Sequence, residues 1–588
     1  MSAGDEYHSL NSSDTTPNNQ QPRSIDDFLD SAYRHGQSQI HYHSGPALTF
    51  FYILQRWQYH IVFLALGLAN SGDSAEMGCT SYILSSSNFQ HDILQDGNQD
   101  GGEVDFAKRG AAIASAHFGG MLVSGLLSGV LADVWGRRST LLLGLTCNTI
   151  VGTLSAMARN ATELCLLRFT CGLGLGMVIS GVVTLSAEIS PPSRRGRFMT
   201  LVASSYTLGF LYISLWAVIV FKGSGSGNWR LFMFVNVMPT IIAALLVTLF
   251  VPESPRFYLC RGRLREAVEI SNLLAVRMGF TDKDNLLTEE ELTQYLIRAK
   301  GIGQASSRGR ETIQINEIMQ NEEKSEYVWR EIWTSLTSIG QVFTNGMYKV
   351  TIPLQFAYMS LTLVTGVSTW WTKIFQNLHL QTDAFTLSFY HTLAQIPGMM
   401  LASGLIDLAG RKRLVIIGFG GGSIALMFLS STAKSIHSTG KDIADGMYSI
   451  VVLGLACFYS IFLSIGWLSI ECLSTESFPT RVRSTGRGVC VASGRIAGFS
   501  VQFMYGYYIN QNEISTMLAM ASALAVFGVI VACQTTDTTN VDLQDHWDNG
   551  KGADETFDYD ANGVDKIPPK STSFADKKHS KYFSIESA

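Results

Sequence analysis

GVLADVWGRR, residues 129–138, ends an apolar run that begins near residue 109, and GLIDLAGRKR, residues 404–413, ends another that begins near residue 386. In both, an acid is followed at fixed spacing by a glycine and two basic residues. Asp133, Gly136, Arg137 and Arg138 match Asp407, Gly410, Arg411 and Lys412. A second echo pairs AEISPPSRRG (187–196) with TESFPTRVRS (475–484) and aligns Glu188 with Glu476, Pro191 with Pro479 and Arg195 with Arg483. Two ordered echoes predict that the chain is built from two copies of one unit.

Apolar runs recur on both sides of the repeats. A bilayer core needs about 20 mostly apolar residues per helix, and we read twelve such spans. The first six lie near 57–85, 109–132, 139–158, 163–189, 199–221 and 230–251; the second six lie near 349–371, 386–408, 413–431, 447–471, 484–509 and 514–533. With 46% hydrophobic and 15% charged residues, the composition agrees with a membrane protein. The expected fold is all-α, with twelve transmembrane helices arranged as two pseudo-symmetric six-helix bundles. A parallel six-span repeat about an axis along the membrane normal places a substrate site near the midplane, between the halves.

The net charge of −5 says little; the positions of Lys and Arg relative to the spans say more. Arg137 and Arg138, Arg194, Arg195 and Arg197, Arg411, Lys412 and Arg413, and Arg481 and Arg483 follow spans two, four, eight and ten. Asp92, Asp96, Asp100, Glu103 and Asp105 crowd the loop after span one. Both termini are therefore expected in the cytosol. No signal-peptide pattern opens the chain, so the first span is expected to start insertion. The nine cysteines show no paired spacing and read as small core residues, with no metal set among them. The sequon Asn160-Ala161-Thr162 lies in a loop tight against the bilayer and is expected to be bare.

The expected domains are a polar N-terminal tail (1–56), a first bundle (57–251), a cytosolic loop (252–348), a second bundle (349–533) and a polar C-terminal tail (534–588). Neither tail has the apolar content to fold alone. Within the loop, LREAVEISNLLAVRM and NLLTEEELTQYLIRAK carry helical apolar spacing and are expected to pack beneath the bundle.

These motifs resemble the major facilitator superfamily, and the resemblance covers nearly all of 57–533. The loop D-x-x-G-R-R/K after the second span of each half is its specific mark. Arg168-x₃-Gly172-x-Gly174-x-Gly176, Pro252-Glu-Ser-Pro-Arg256 and Glu476-x-x-Pro479 resemble the branch holding sugar porters, organic-ion transporters and synaptic-vesicle-2-related proteins. An Asp followed by x-x-Glu in the first span resembles the vesicle-protein, organic-ion and proton-phosphate members more than the hexose porters. Span seven lacks the Gln-Gln and Asn pattern by which hexose porters grip sugar hydroxyls. The segment FPTRVRSTGRGVCVASGR keeps inorganic phosphate as an alternative cargo, although span four lacks the Gly-Gly-Asp-Tyr stretch of phosphate symporters.

The charges inside the spans carry the chemistry. An ionised carboxylate at bilayer depth costs roughly 2.5–3.5 kcal/mol by insertion scales unless it is paired, hydrated or protonated. Asp73 and Glu76, three residues apart, share one helix face, and their mutual repulsion predicts that one holds a proton. Both are candidate proton-coupling residues. Arg495 in span eleven matches an Arg that organic-anion carriers place there, which implies a fork for a carboxylate, sulfonate or phosphate; an internal ion pair is the alternative. Tyr206, His391, Trp467 and Glu471 complete the candidate substrate-binding set. Glu471 is expected to line the cleft or to reach the cytosolic edge. Arg168 needs a carboxylate, Asp73 or Glu76, and is grouped with the gating charges. Those are Asp133, Arg137, Arg138, Glu188, Arg195, Asp407, Arg411, Glu476 and Arg483, with Glu188 expected to meet Arg195. Gly172, Gly174 and Gly176 lack the following Lys-Ser/Thr of a phosphate loop and read as a close-packing stripe.

The chain is thus expected to be a transporter of a small polar metabolite, most readily an organic anion, coupled to protons by alternating access. It is not expected to be an enzyme, to need a cofactor or to bind nucleic acid. A sugar or phosphate symporter, or a non-transporting receptor like some vesicle-protein relatives, is the alternative. Tyr7-His-Ser-Leu10 and Tyr582-Phe-Ser-Ile585 match the pattern read by clathrin adaptors, which favours a vacuolar, lysosomal or vesicle membrane over the plasma membrane.

Overall fold

Backbone groups inside a bilayer find no water, so each crossing segment must satisfy its own hydrogen bonds, and a helix does this within one segment. The computed structural model describes residues 23–42, 46–94, 103–221, 226–280, 285–299, 340, 342–344, 346–439, 446–478 and 483–536, all within the unit Met1–Asp545. The motifs at Tyr7 and Tyr582, the loop residues Asp96 and Asp100, Pro479 and Arg481 lie outside the described residues.

The twelve spans are helical. The first half runs Pro46–Leu84, Glu103–Trp135, Arg137–Ser155, Ala161–Ile189, Arg195–Phe221 and Trp229–Phe250. The second runs Tyr348–Asn377, Ala384–Leu393 continued by Gln395–Ala409, Arg411–Thr439, Gly446–Glu476, Arg483–Asn510 and Ile514–Gln534. Among the described residues, spans four, five, six, seven, nine, ten and twelve are long and apolar enough to cross a membrane on composition alone, and span two joins them as a bent pair. The others are interrupted or polar: spans one, three and eleven carry Asp73, Glu76, Asn148 and Arg495.

Packing repeats with an offset of six. Span one lies against spans five and six, two against four, and three against four and six; span seven lies against eleven and twelve, eight against ten, and nine against ten and twelve. The halves meet along span two with eleven and span five with eight, two contacts that exchange under the same operation. The protein is an all-α membrane protein of two pseudo-symmetric six-helix bundles.

The repeated motifs build the same corner twice. Gly136 and Gly410 have φ of 105° and 90°, a region that favours glycine, and they turn the chain from spans two and eight into spans three and nine. Arg137 then reaches back to the Ala132 carbonyl at 3.4 Å and across to Glu188 at 3.5 Å, while Arg411 reaches the Ile406 carbonyl at 3.3 Å and Glu476 at 3.1 Å. Arg138 donates to the Thr248 carbonyl at the end of span six, and Lys412 to the Cys533 carbonyl at the end of span twelve, both at 2.8 Å. In the first half Glu253, from the Pro-Glu-Ser-Pro-Arg motif, accepts the Arg138 backbone N–H at 3.0 Å, placing a negative charge at the start of span three.

At this basic end the polar N-terminal region forms a docked helix, Ile25–Tyr42. Its composition does not support folding alone, but Ile25, Phe28, Leu29, Ala32 and Tyr33 make one stripe, buried against the helix Leu264–Arg277 and the ends of the first-half spans. Asp26 pairs with Arg256 at 2.5 Å and with Arg195 at 3.5 Å, Asp30 accepts the Ser193 N–H at 3.1 Å, and Arg23 meets Glu291 at 2.7 Å. Arg195 therefore pairs with this helix and not with Glu188, because Arg137 already occupies Glu188. The two amphipathic stretches of the loop fold as Leu264–Arg277 and Glu289–Ala299.

Candidate functional site

Span one carries its two acids into a buried polar layer, where they meet different neighbours. Glu76 is 6% exposed and Arg168, from span four, is fully buried. The Arg168 Nη1 donates to Glu76 Oε1, and the Asn236 amide of span six donates to Oε2. His117 of span two completes the cluster, its Nε2 lying 3.4 Å from Arg168 Nη1 and 3.6 Å from Glu76 Oε1. Both oxygens of Glu76 are thus held by donors, from spans four and six, with His117 of span two adjacent. Arg168, grouped from sequence with the gate, sits instead inside the first bundle: a charge that cannot lose its proton survives there only beside an acid.

Asp73 is 1% exposed and has no cationic contact of this kind. The Asn148 side-chain amide, from span three, approaches its Oδ1 at 3.4 Å, and its Oδ2 has no hydrogen-bond partner. Tyr206 of span five and Arg495 of span eleven lie within electrostatic range of Asp73. Tyr206 donates its hydroxyl to Met77 Sδ at 3.0 Å. Arg495 is half-buried and has no hydrogen bond or ion pair among the described residues. The second half thus presents this guanidinium toward Asp73 of the first.

The rest of the second half divides the predicted set. Glu471 pairs with Arg487 at 2.5 Å, both half-buried. Tyr358 lies beside this pair, with its hydroxyl 3.0 Å from Ser474 Oγ and its ring 6.3 Å from the Trp467 ring. Trp467 donates to Thr365 Oγ1 at 2.9 Å. His391 is buried in an aromatic box, its ring centroid 4.8 Å from Trp371 and 6.4 Å from Tyr459. The structure therefore groups Asp73, Tyr206 and Arg495, keeps Trp467 and Glu471 near one another, and sets His391 in a separate cluster. The side chains of Asp407 and Arg483 lie outside the described residues.

Sequence reasoning missed Asn148, Asn236 and Arg487. Each left a signal: LTCNTIVG and FVNVMPT hold an amide inside an apolar run, and Arg487 already falls within the expected span 484–509.

Hydrogen bonds between the halves, among the described residues, run from mid-depth to the end opposite the basic corners. Ser81 Oγ lies 3.3 Å from Thr372 Oγ1, which lies 2.9 Å from Ser388 Oγ; Gln376 donates to the Ser85 carbonyl at 2.8 Å, and Thr207 to Met399 Sδ at 3.6 Å. Phe385 of span eight stacks with Phe221 at 4.9 Å and faces Tyr82 at 6.5 Å, closing an aromatic seal over that end.

The family model described as "Sugar (and other) transporter" matches residues 65–546. The niacin transporter of Acinetobacter baylyi is 25% identical over 426 residues, 71% of this chain and 84% of that one. The synaptic vesicle 2-related protein of Xenopus laevis is 24% identical, over 72% of this chain and 70% of its own. Among solved structures, the partially occluded inward-open form of the E. coli xylose transporter XylE superposes with a TM-score of 0.58, covering 82% of this chain and 98% of that one at 17% identity, which shows the fold. A match over most of the length, on two bundles whose motif corners coincide, leads to one conclusion: this chain is a multi-pass membrane transporter of the sugar (and other) transporter family, in the sugar-porter and synaptic-vesicle-2-related branch of the major facilitator superfamily.

Proposed function

We propose that the protein carries a small organic monocarboxylate together with protons, by alternating access between its two halves, with both termini in the cytosol. The observation that carries this reading is Arg495: a half-buried guanidinium without a partner among the described residues, within electrostatic range of Asp73 and Tyr206 across the interface. A guanidinium fork binds a carboxylate through two parallel hydrogen bonds, and Tyr206, Tyr358 and Trp467 supply flat apolar faces nearby. Niacin, the cargo named for two relatives, is a pyridine carboxylate and unites those two features. Asp73 and Glu76 bring the acids of span one to this layer, at least one of them for proton coupling, and the paired corners at Asp133, Arg137, Arg138 and Glu188 and at Arg411 and Glu476 act as the gate. The aromatic contacts at the far end, and hydrogen bonds between the halves that run, among the described residues, from mid-depth to that end, fit a state open to the cytosol. We place the protein in an endomembrane on the strength of its tail tyrosine motifs.

The test is uptake of radiolabelled nicotinate, benzoate, a polyol and phosphate into proteoliposomes under an imposed proton gradient. Gradient-stimulated uptake of a carboxylate is expected, and Arg495→Gln is expected to reduce it about 30-fold, the equivalent of about 2 kcal/mol of lost charge-assisted bonding. Transport of the polyol or phosphate alone, carboxylate flux indifferent to Arg495→Gln, or binding without flux would overturn the reading; the last would favour a receptor.

A further inference from the structure

The two acids of span one share a helix face, yet their surroundings differ in hydrogen-bonding capacity. Resting on the proposed proton-coupled uptake, we infer that the transported proton resides on Asp73, in a ring of two hydrogen bonds with the Asn148 side-chain amide, while Glu76 is a permanently ionised partner of Arg168.

Glu76 presents two oxygens and receives donors on both, from Arg168 and Asn236, with His117 adjacent. An ionised carboxylate is satisfied there, and a proton on it would displace a donor and strand the buried Arg168. Asp73 presents two oxygens to a single amide N–H₂. Its Oδ2 and the Asn148 Oδ1 are both buried and both lack a partner, so two acceptors stand without a donor for either. Buried polar atoms in that condition are costly. One proton resolves both defects, because a carboxylic acid and a primary amide close a ring: the acid O–H donates to the amide oxygen and the amide N–H donates to the acid carbonyl. Turning the amide over does not remove the need, since the atom facing Asp73 is then an oxygen that again requires a proton from the acid.

Gly174 of span four serves this ring. A methyl group at that position would overlap Asn148 Oδ1, so the absence of a side chain leaves room for the amide. Asn148 and Gly174 are positioning residues.

The charged and titratable groups facing Asp73 are Glu76 on its own helix, Tyr206 on span five and Arg495 on span eleven. Glu76 is neutralised by Arg168, which leaves Arg495 as the cation able to receive Asp73 once it ionises. A cargo carboxylate on Arg495 occupies that partner, so Asp73 keeps its proton while cargo is bound. When the cargo leaves, the Asp73 O–H bond breaks, the proton passes to water on the open side, and the carboxylate turns to Arg495. One proton then accompanies one monocarboxylate, and the cycle is electroneutral.

Three measurements on the full-length protein test this. Infrared difference spectra of purified protein titrated across neutral pH should show the C=O stretch of a protonated carboxylic acid that vanishes in Asp73→Asn and persists in Glu76→Gln; this readout needs no cargo. In proteoliposomes, Asp73→Asn should lose gradient-driven nicotinate accumulation roughly ten-fold more than it loses counterflow exchange, whereas Glu76→Gln should lose both alike. Gly174→Ala should move the pH midpoint of uptake toward acid by about one unit, a tenfold change in proton affinity, which a merely structural role would leave in place. A band that survives Asp73→Asn and vanishes in Glu76→Gln overturns the assignment, as does accumulation preserved in Asp73→Asn. Should wild type carry no carboxylate, the infrared result still decides where the proton sits, so the two proposals fail separately.

Discussion

At the scale of single residues, the buried Glu76–Arg168 pair sets the strictest demand. Removing one member leaves the other charged and enclosed, at a cost of about 3–5 kcal/mol. Arg168→Leu is accordingly expected to lower the thermal midpoint in detergent sharply, and the double variant with Glu76→Gln to recover part of the loss, because the stranded charge is gone. A second acid tests the loop that follows span one. Asp92 accepts the Trp229 indole N–H at 3.0 Å and Arg230 Nη1 at 2.8 Å, tying that loop to the start of span six. The Trp229 hydrogen bond, and then Arg230, hold its carboxyl below the usual carboxylate range. The stabilisation is complete above the unfolded value near about 3.9 and is lost as pH falls through the lower folded value. Asp92→Asn should therefore melt lower than wild type at pH 7 and approach it in strongly acidic buffer. Sequence made these charges visible, since a charge in an apolar run is conspicuous. The pairing was hidden: three-residue spacing puts Asp73 and Glu76 on one face, but only the neighbouring helices decide that Arg168 and Asn236 reach one and Asn148 the other.

At the scale of helices, the instructive case is Ile25–Tyr42. The mean polarity of the region argues for a tail, whereas the order of its apolar residues, 25, 28, 29, 32 and 33, is that of an amphipathic helix. Composition averages the stripe away, and its partner surface exists only after the loop helices fold. Phe28 is fully buried, with its ring 6.0 Å from that of Phe280. Phe28→Ala should cost about 3–5 kcal/mol of this docking, read as faster amide exchange and proteolysis across Ile25–Tyr42 and Leu264–Arg277 while the spans stay protected. The spans were the most legible elements, because length and apolarity fix them locally. Their ends were less so: the first runs from Pro46, ahead of the span expected from residue 57.

At the scale of the whole molecule, the twofold pattern follows from the repeat. The corners at Gly136 and Gly410 use the same carbonyls, acids and span ends, so each half supplies a matching frame. The layer between the frames is where the halves differ: acids and amides from the first, Arg495 and aromatics from the second. Sequence order announced the frame and could not announce which state it occupies. Ser81→Cys with Thr372→Cys tests the state, because the native side-chain oxygens stand 3.3 Å apart. Mild oxidation should link the two thiols and stop exchange, and reduction should restore it.

In the cytosol-open state proposed above, the aromatic cluster of Tyr82, Phe221 and Phe385 closes the mouth opposite the basic corners. Inhibition should therefore be sided. A membrane-impermeant aromatic carboxylate with a bulky tail would jam inside-out vesicles, where the uncapped mouth faces the bath, and leave right-side-out vesicles working until the lid swings away.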